Sequence, residues 1–305
     1  MLSPPAFSKG FYDLPIRSPG LLAKAANDIG QSRVAAVCTD SAANMMKGRR
    51  LFTEERAYKH ILDLRCQLHG FNLLFAGFFV DAGPRREGHP QGKRTIKQAQ
   101  AIVTFFGASH IPADLLRAKA ALHGKRRQAL VTSNQTRMVS NYLMLVSVLE
   151  LEVELQAVYK ENPKLFAKKE ELQKILSDRH HGFWHDATAL VKLLEPLSVV
   201  MRRVQSDDCT LADITRHWLY LAKELVPRLQ ESSLDPAFIE YIAHMYVRRV
   251  KELHLPLHRL ALFLDPTHQL AGDDKSRPEV FVEICQEVRH PFRLLTAHAS
   301  ATSYL

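Results

Sequence analysis

Two short apolar runs each end in side chains able to do chemistry. Val34 to Cys38 reads V-A-A-V-C and stops at Thr39-Asp40; Ile61 to Cys66 reads I-L-D-L-R-C and continues as Cys66-x-x-His69. An aspartate supplies hard oxygen ligands suited to Mg²⁺. By itself, an Asp that follows a strand more often caps the next helix. A thiol and an imidazole three residues apart can contribute to a zinc site, and Cys38, Asp40, Cys66 and His69 could cluster at neighbouring strand tips. The paired Cys-x-x-Cys or His-x-x-His half-sites usual for structural zinc are lacking there. We therefore read Cys66 as a buried thiol and His69 as a hydrogen-bonded imidazole ahead of zinc ligands.

The elements that must position these groups follow from periodicity. Both runs are strand-like, and helix-forming sequence follows each. That is the pattern of a parallel α/β sheet, which carries its functional groups at the carboxyl ends of the strands. Upstream, Pro19-Gly20 opens an amphipathic helix that Gly30 ends. A helix is expected over 41–51, a turn or two over 54–60, and a buried helix from about His69 to Val80. Asp81 to Arg94 holds three glycines and two prolines and reads as a loop. Beyond it the pattern is helical: Thr95–Phe106, Ala113–Leu122, Val139–Tyr159, Pro163–Ser177, Phe183–Val204, Leu211–Leu229 and Pro236–Leu253. In Val139–Tyr159 an apolar stripe is drawn through Leu143, Val146, Leu149, Val153 and Leu155, with Glu150, Glu152 and Glu154 interleaved. Asp235-Pro236 reads as an N-cap with Pro in the first helical position. One more helix is expected near 278–289.

Five stretches carry a resemblance. C-T-D-S-A-A-N-M with R-C-Q-L-H-G-F-N-L-L, then T-R-M-V-S-N-Y-L-M-L at 136–145, F-W-H-D-A-T-A-L-V-K-L-L-E-P-L at 183–197 and H-R-L-A-L-F-L-D-P-T at 258–267 stand in this order. Together they resemble the hAT-superfamily transposases, whose catalytic core is ribonuclease-H-like. The resemblance implies an α/β fold: a partial ribonuclease-H-like core with a large all-α insertion domain, predominantly helical. On it we divide the chain into an irregular lead-in over 1–20, the partial core over 21–94, the helical insertion over 95–270 and a tail over 271–305.

Such transposases cut DNA with two divalent ions, Mg²⁺ or Mn²⁺, roughly 3.5–4 Å apart. The family supplies two Asp and one Glu to hold them. Asp40 matches the second Asp and is the implied metal ligand and catalytic residue; His69 matches a histidine linked there to DNA handling. The other two carboxylates have no motif here. Asp13 lies in a Pro-rich stretch, and nothing singles out Glu279, Glu283 or Glu287. The sequence thus reads as the central part of such a protein, truncated or decayed, without strand-cleaving activity of its own. If upstream strands are lacking, the Asp40 strand has an open edge that invites a partner strand or a second copy. Two rivals stand beside this reading: a fragment that becomes an active transposase when another polypeptide supplies the missing carboxylates, and a helical interaction module without DNA affinity.

Composition bears on partners. The 305 residues carry 41 Lys+Arg against 32 Asp+Glu, a formal charge of +9 that suits a polyanion such as DNA. Candidate phosphate contacts are Lys125, Arg126 and Arg127, Arg137 in T-R-M, and Arg85 and Arg86 in the 81–94 loop; Arg248, Arg249 and Lys251 form a further basic group. Where the family has T-R-W, Met138 replaces the Trp and offers no face for base stacking. Phe183, Trp184 and Trp218 read as core, and His180-His181 as surface. At 46% apolar and 24% charged the chain is neither disordered nor membranous. Its longest apolar run, Phe71 to Val80, is too short to cross a bilayer, and its first ten residues lack a signal-peptide core. Four widely spaced cysteines make no disulfide framework and point to a reducing compartment; the resemblance points to the nucleus.

Overall fold

A computed structural model describes residues 19–79, 89–133, 139–178 and 182–265. The chain divides into two compact units, Met1–Gly70 and Phe71–Leu305.

In the first unit, α1 (Pro19–Ile29) ends where Gly30 adopts φ 97°, a left-handed conformation open to glycine. Strand β1 (Ala36–Thr39) follows, then α2 (Ala43–Glu54), a short 3-10 turn over Arg56–Tyr58, strand β2 (Leu62–Arg65) and α3 (Gln67–Ala76). The strands pair in parallel with Ala36 opposite Leu62 and Thr39 opposite Arg65, so the expected βαβ order is present. Among the described residues this is the one sheet, and it has two strands. Its small core is Ala26, Phe52, Tyr58 and Ile61, with Leu22, Val34 and Val37 packed alongside. The Phe52 and Tyr58 rings stack at 4.4 Å, and the Tyr58 hydroxyl donates to Asn27 at 3.1 Å.

The second unit is helical. It holds α4 (Pro90–Gly107), α5 (His110–Leu122), α6 (Ser140–Glu150), α7 (Glu152–Glu161), α8 (Glu170–Ser177), α9 (Phe183–Val204), α10 (Leu211–Gln230), α11 (Pro236–Leu253) and α12 (Pro256–Leu264). The protein is predominantly helical, as the sequence indicated. Trp218 is fully buried near the centre, against Phe71 at 4.5 Å and Tyr246 at 5.5 Å between ring centroids. Phe183 and Trp184 are also core. No helix among the described residues is long and apolar enough to cross a membrane.

The two compact units divide at Gly70–Phe71. Phe71, Leu74 and Phe75 of α3, with Phe78 beyond it, are buried in the core of the helical unit, so the apolar run after Cys66 belongs there. The loop expected over 81–94 ends early, because α4 starts at Pro90, where the missing N–H costs nothing. Finally, the single helix over 139–159 is two, broken at Leu151 (φ −107°). The drawn stripe holds only in part: its Leu155 is buried, but its Leu143 and Val153 are exposed, while Met144, Leu145, Val148, Leu151 and Val158 are buried instead.

Gly92 explains why α4 can start so close to α3. A Cβ there would stand 2.0 Å from the Phe78 carbonyl oxygen and 3.0 Å from the Phe238 ring. Backbone cannot yield as a side chain can, so Gly92→Ala must push α4 outward. We expect a loss of about 1–3 kcal/mol, the usual cost of overpacking, read as a lower urea midpoint. A variant as stable as the parent would show that the Phe78–Gly92 approach is not needed.

Candidate functional site

The first candidate lies at the carboxyl ends of β1 and β2. The ladder runs one step past the strands, since the Cys66 N–H donates to the Thr39 carbonyl at 2.8 Å. Asp40 is therefore the first residue beyond β1. It is exposed, and its Oδ1 accepts the Ala42 N–H at 3.1 Å, shaping the turn into α2. Arg49 of α2 reaches back under this turn and is almost fully buried. Its Nε donates to Asp63 Oδ1 at 2.5 Å, and its Nη1 donates to the Asp40 carbonyl at 2.8 Å and to the Thr39 hydroxyl. One guanidinium thus ties α2 to the end of β1 and to the body of β2.

Cys66 is half-buried and opens α3. Its Sγ accepts the His69 backbone N–H at 3.5 Å, and Cys38 of β1 is its neighbour across the ladder. The Cys38 contact leads in drawing the Cys66 thiol down to about 6; burial opposes this, and the His69 backbone N–H helps it. Cys38 is pushed up, first by its Cys66 neighbour. His69 is half-buried on the first turns of α3. Of the four residues expected to gather here, the two cysteines are neighbours across the ladder and His69 meets Cys66 through its backbone.

The divalent-metal expectation meets a different geometry. Among the described residues no three His, Cys, Asp or Glu side chains stand together so as to hold a metal ion. Asp63 is the one further carboxylate held at the strand ends by the contacts above, and Arg49 neutralises it. These residues do not fit a two-ion site. Asp13, Glu279, Glu283 and Glu287 lie outside the described residues.

The basic groups fare unequally. Lys125 donates to the Glu150 carbonyl at 3.0 Å and lies 3.8 Å from the buried Glu154 carboxylate. Arg127 pairs with the Glu150 carboxylate, while Arg126 is exposed. Glu154, expected on a polar face, is fully buried and also takes His123 Nδ1 at 2.8 Å. Of the further group, Arg249 is buried and paired with Glu252 at 2.8 Å, and Arg248 lies 3.5 Å from the same carboxylate. Arg85, Arg86, Arg137 and Met138 lie outside the described residues.

A second candidate was not foreseen. Lys93, Arg94 and Lys97 of α4 share one helix face and, with His89, the acidic Glu171 of α8 and Tyr241 of α11, line a groove of about 630 Å³. Arg94 is 3.1 Å from Asp186, and Lys97 is exposed. His89 stacks on Phe238 at 4.5 Å, and its burial lowers its basicity. The groove stands at the positive end of an 18-residue helix. Sequence reading missed it by placing Lys93 and Arg94 in a loop; their i, i+4 and i, i+3 relations to Lys97 were the available signal.

No protein-family model matches the sequence, and no curated protein matches it.

Proposed function

We propose that the chain is a hAT-transposase-like protein, with a partial ribonuclease-H-like unit and a helical unit, that binds DNA in the nucleus without cutting it. The observation that carries DNA binding is the α4 groove. Three cations at helical spacing can follow a phosphate backbone, and Tyr241 beside them offers a ring for a base or sugar. The loss of cutting is supported by the strand ends, where Asp40 serves a turn and Asp63 is held by Arg49. Binding of this kind is electrostatic, so affinity for duplex DNA of unrelated sequences should fall steeply with salt.

Lys93→Glu with Lys97→Glu should weaken binding at least tenfold and flatten the salt slope by about two, roughly one per phosphate contact. Titration of labelled duplex at several salt concentrations reads both. Supercoiled DNA incubated with Mn²⁺ should stay intact; nicking that disappears in Asp40→Ala would revive the reading of an active fragment. The pairing of Lys125 and Arg127 with Glu150 and Glu154 favours a second reading, a helical interaction module with no DNA affinity. An unaltered, salt-insensitive titration in the double variant would decide for it.

A further inference from the structure

We propose that Cys38 and Cys66 form a dithiol switch that closes to a disulfide across the two parallel strands by exchange with a low-molecular-weight disulfide. The proposal is independent of DNA binding. In the β1–β2 register Cys38 stands opposite Leu64, and Cys66 lies two residues further on. Side chains alternate along a strand, so Cys38, Leu64 and Cys66 share one face of the sheet. Both thiols are free, Cys38 is exposed and Cys66 half-buried. An oxidant can therefore reach the pair from solvent.

The two sulfurs differ in a way that divides the work. Cys66 sits at the start of α3, a helix of 10 residues, with the His69 N–H aimed at its Sγ. A helix N-terminus and a thiol donor both favour thiolate, the attacking form. Cys38 is held as a thiol chiefly by the neighbouring Cys66. In the first step the Cys66 thiolate attacks one sulfur of RSSR; the S–S bond breaks and RS⁻ leaves. Cys38 then loses its proton to water and attacks Cys66 Sγ, expelling the second RS⁻. The protein loses two electrons and two protons, and RSSR becomes two RSH. The bridge would fasten β1 to β2 beside the Arg49 clamp.

The test uses the full chain with Cys209→Ser and Cys285→Ser, titrated with oxidised glutathione and read by intact mass and non-reducing peptide mapping. The expected product is a peptide pair joined through Cys38 and Cys66 within one chain. Adding Cys38→Ser should trap glutathione on Cys66, and the alkylation rate of Cys66 should move from a midpoint near 6 toward that of an ordinary thiol. A glutathione adduct that persists on Cys66 with Cys38 present would overturn the proposal. So would bridges found only between chains.

Discussion

Asp63→Ala should destabilise the Met1–Gly70 unit by about 3–5 kcal/mol, although Asp63 is itself 37% exposed. The cost arises on the other partner. Arg49 is 1% exposed, and Asp63 is the carboxylate at its Nε. Removing that carboxylate leaves a buried guanidinium with only neutral acceptors, the Thr39 hydroxyl and the Asp40 carbonyl. Arg49→Met with Asp63→Leu removes both charges and retains most of the volume, so it should cost less than Asp63→Ala alone. Exchange of the Cys66 amide, which bonds to Thr39 across the strands, reports the opening of this unit directly. Equal protection in Asp63→Ala and the parent would mean that Arg49 does not hold the strand ends.

The strand-end site was legible in outline because its signals are local. An apolar run followed by Thr39-Asp40, and a second followed by Cys66-x-x-His69, give two strands and a parallel connection, and these are present. The caps were legible for the same reason: Asp235 accepts the Ala237 N–H at 2.9 Å, as Asp-Pro at a helix start suggests. Arg49 was not legible. It lies in a run of helix-formers beside Lys47 and Arg50, and a buried cation has the same letter as a solvated one until the register of α2 against β2 is known.

Glu154 failed in the same manner. Leu143 and Val153 fit a 3.6-residue stripe as well as Met144 and Val148 do, and only the break at Leu151 selects between the two faces. Once Glu154 is buried, His123 and Lys125 must face it, which draws Lys125 out of the basic cluster in which sequence alone placed it. Long-range pairing thus engages Lys125 and Arg127 with carboxylates. An early helix start at Pro90 lines up Lys93, Arg94 and Lys97.

The helical unit should lose stability as pH falls from 6.5 toward 4, and His258 should account for much of the loss. His258 is 1% exposed in the first turn of α12. Its Nδ1 accepts the Leu255 N–H at 3.0 Å, which only an unprotonated nitrogen can do. Burial, helped by the neighbouring Arg259, draws its basicity down to about 4 from the ordinary 6.5. Further groups flank it: the His254 ring stacks at 6.0 Å and shares a hydrogen bond with Thr215, and Arg216 of α10 bridges Asp213 to Asp265 just past α12. His217 of α10 is lowered as well, first by burial. The folded pKa lies below the unfolded one, so between 6.5 and 4 the unfolded chain binds the extra proton. The stabilisation is complete above 6.5 and shrinks as pH drops through that window. At about 1.4 kcal/mol per pH unit, His258 alone is worth about 3 kcal/mol. His258→Asn keeps an acceptor in the Nδ1 position without a titrating group. Urea midpoints measured from pH 7 to pH 5 should therefore fall further in the parent than in this variant. Parallel curves would place the acid sensitivity elsewhere, with His217 the next residue to replace.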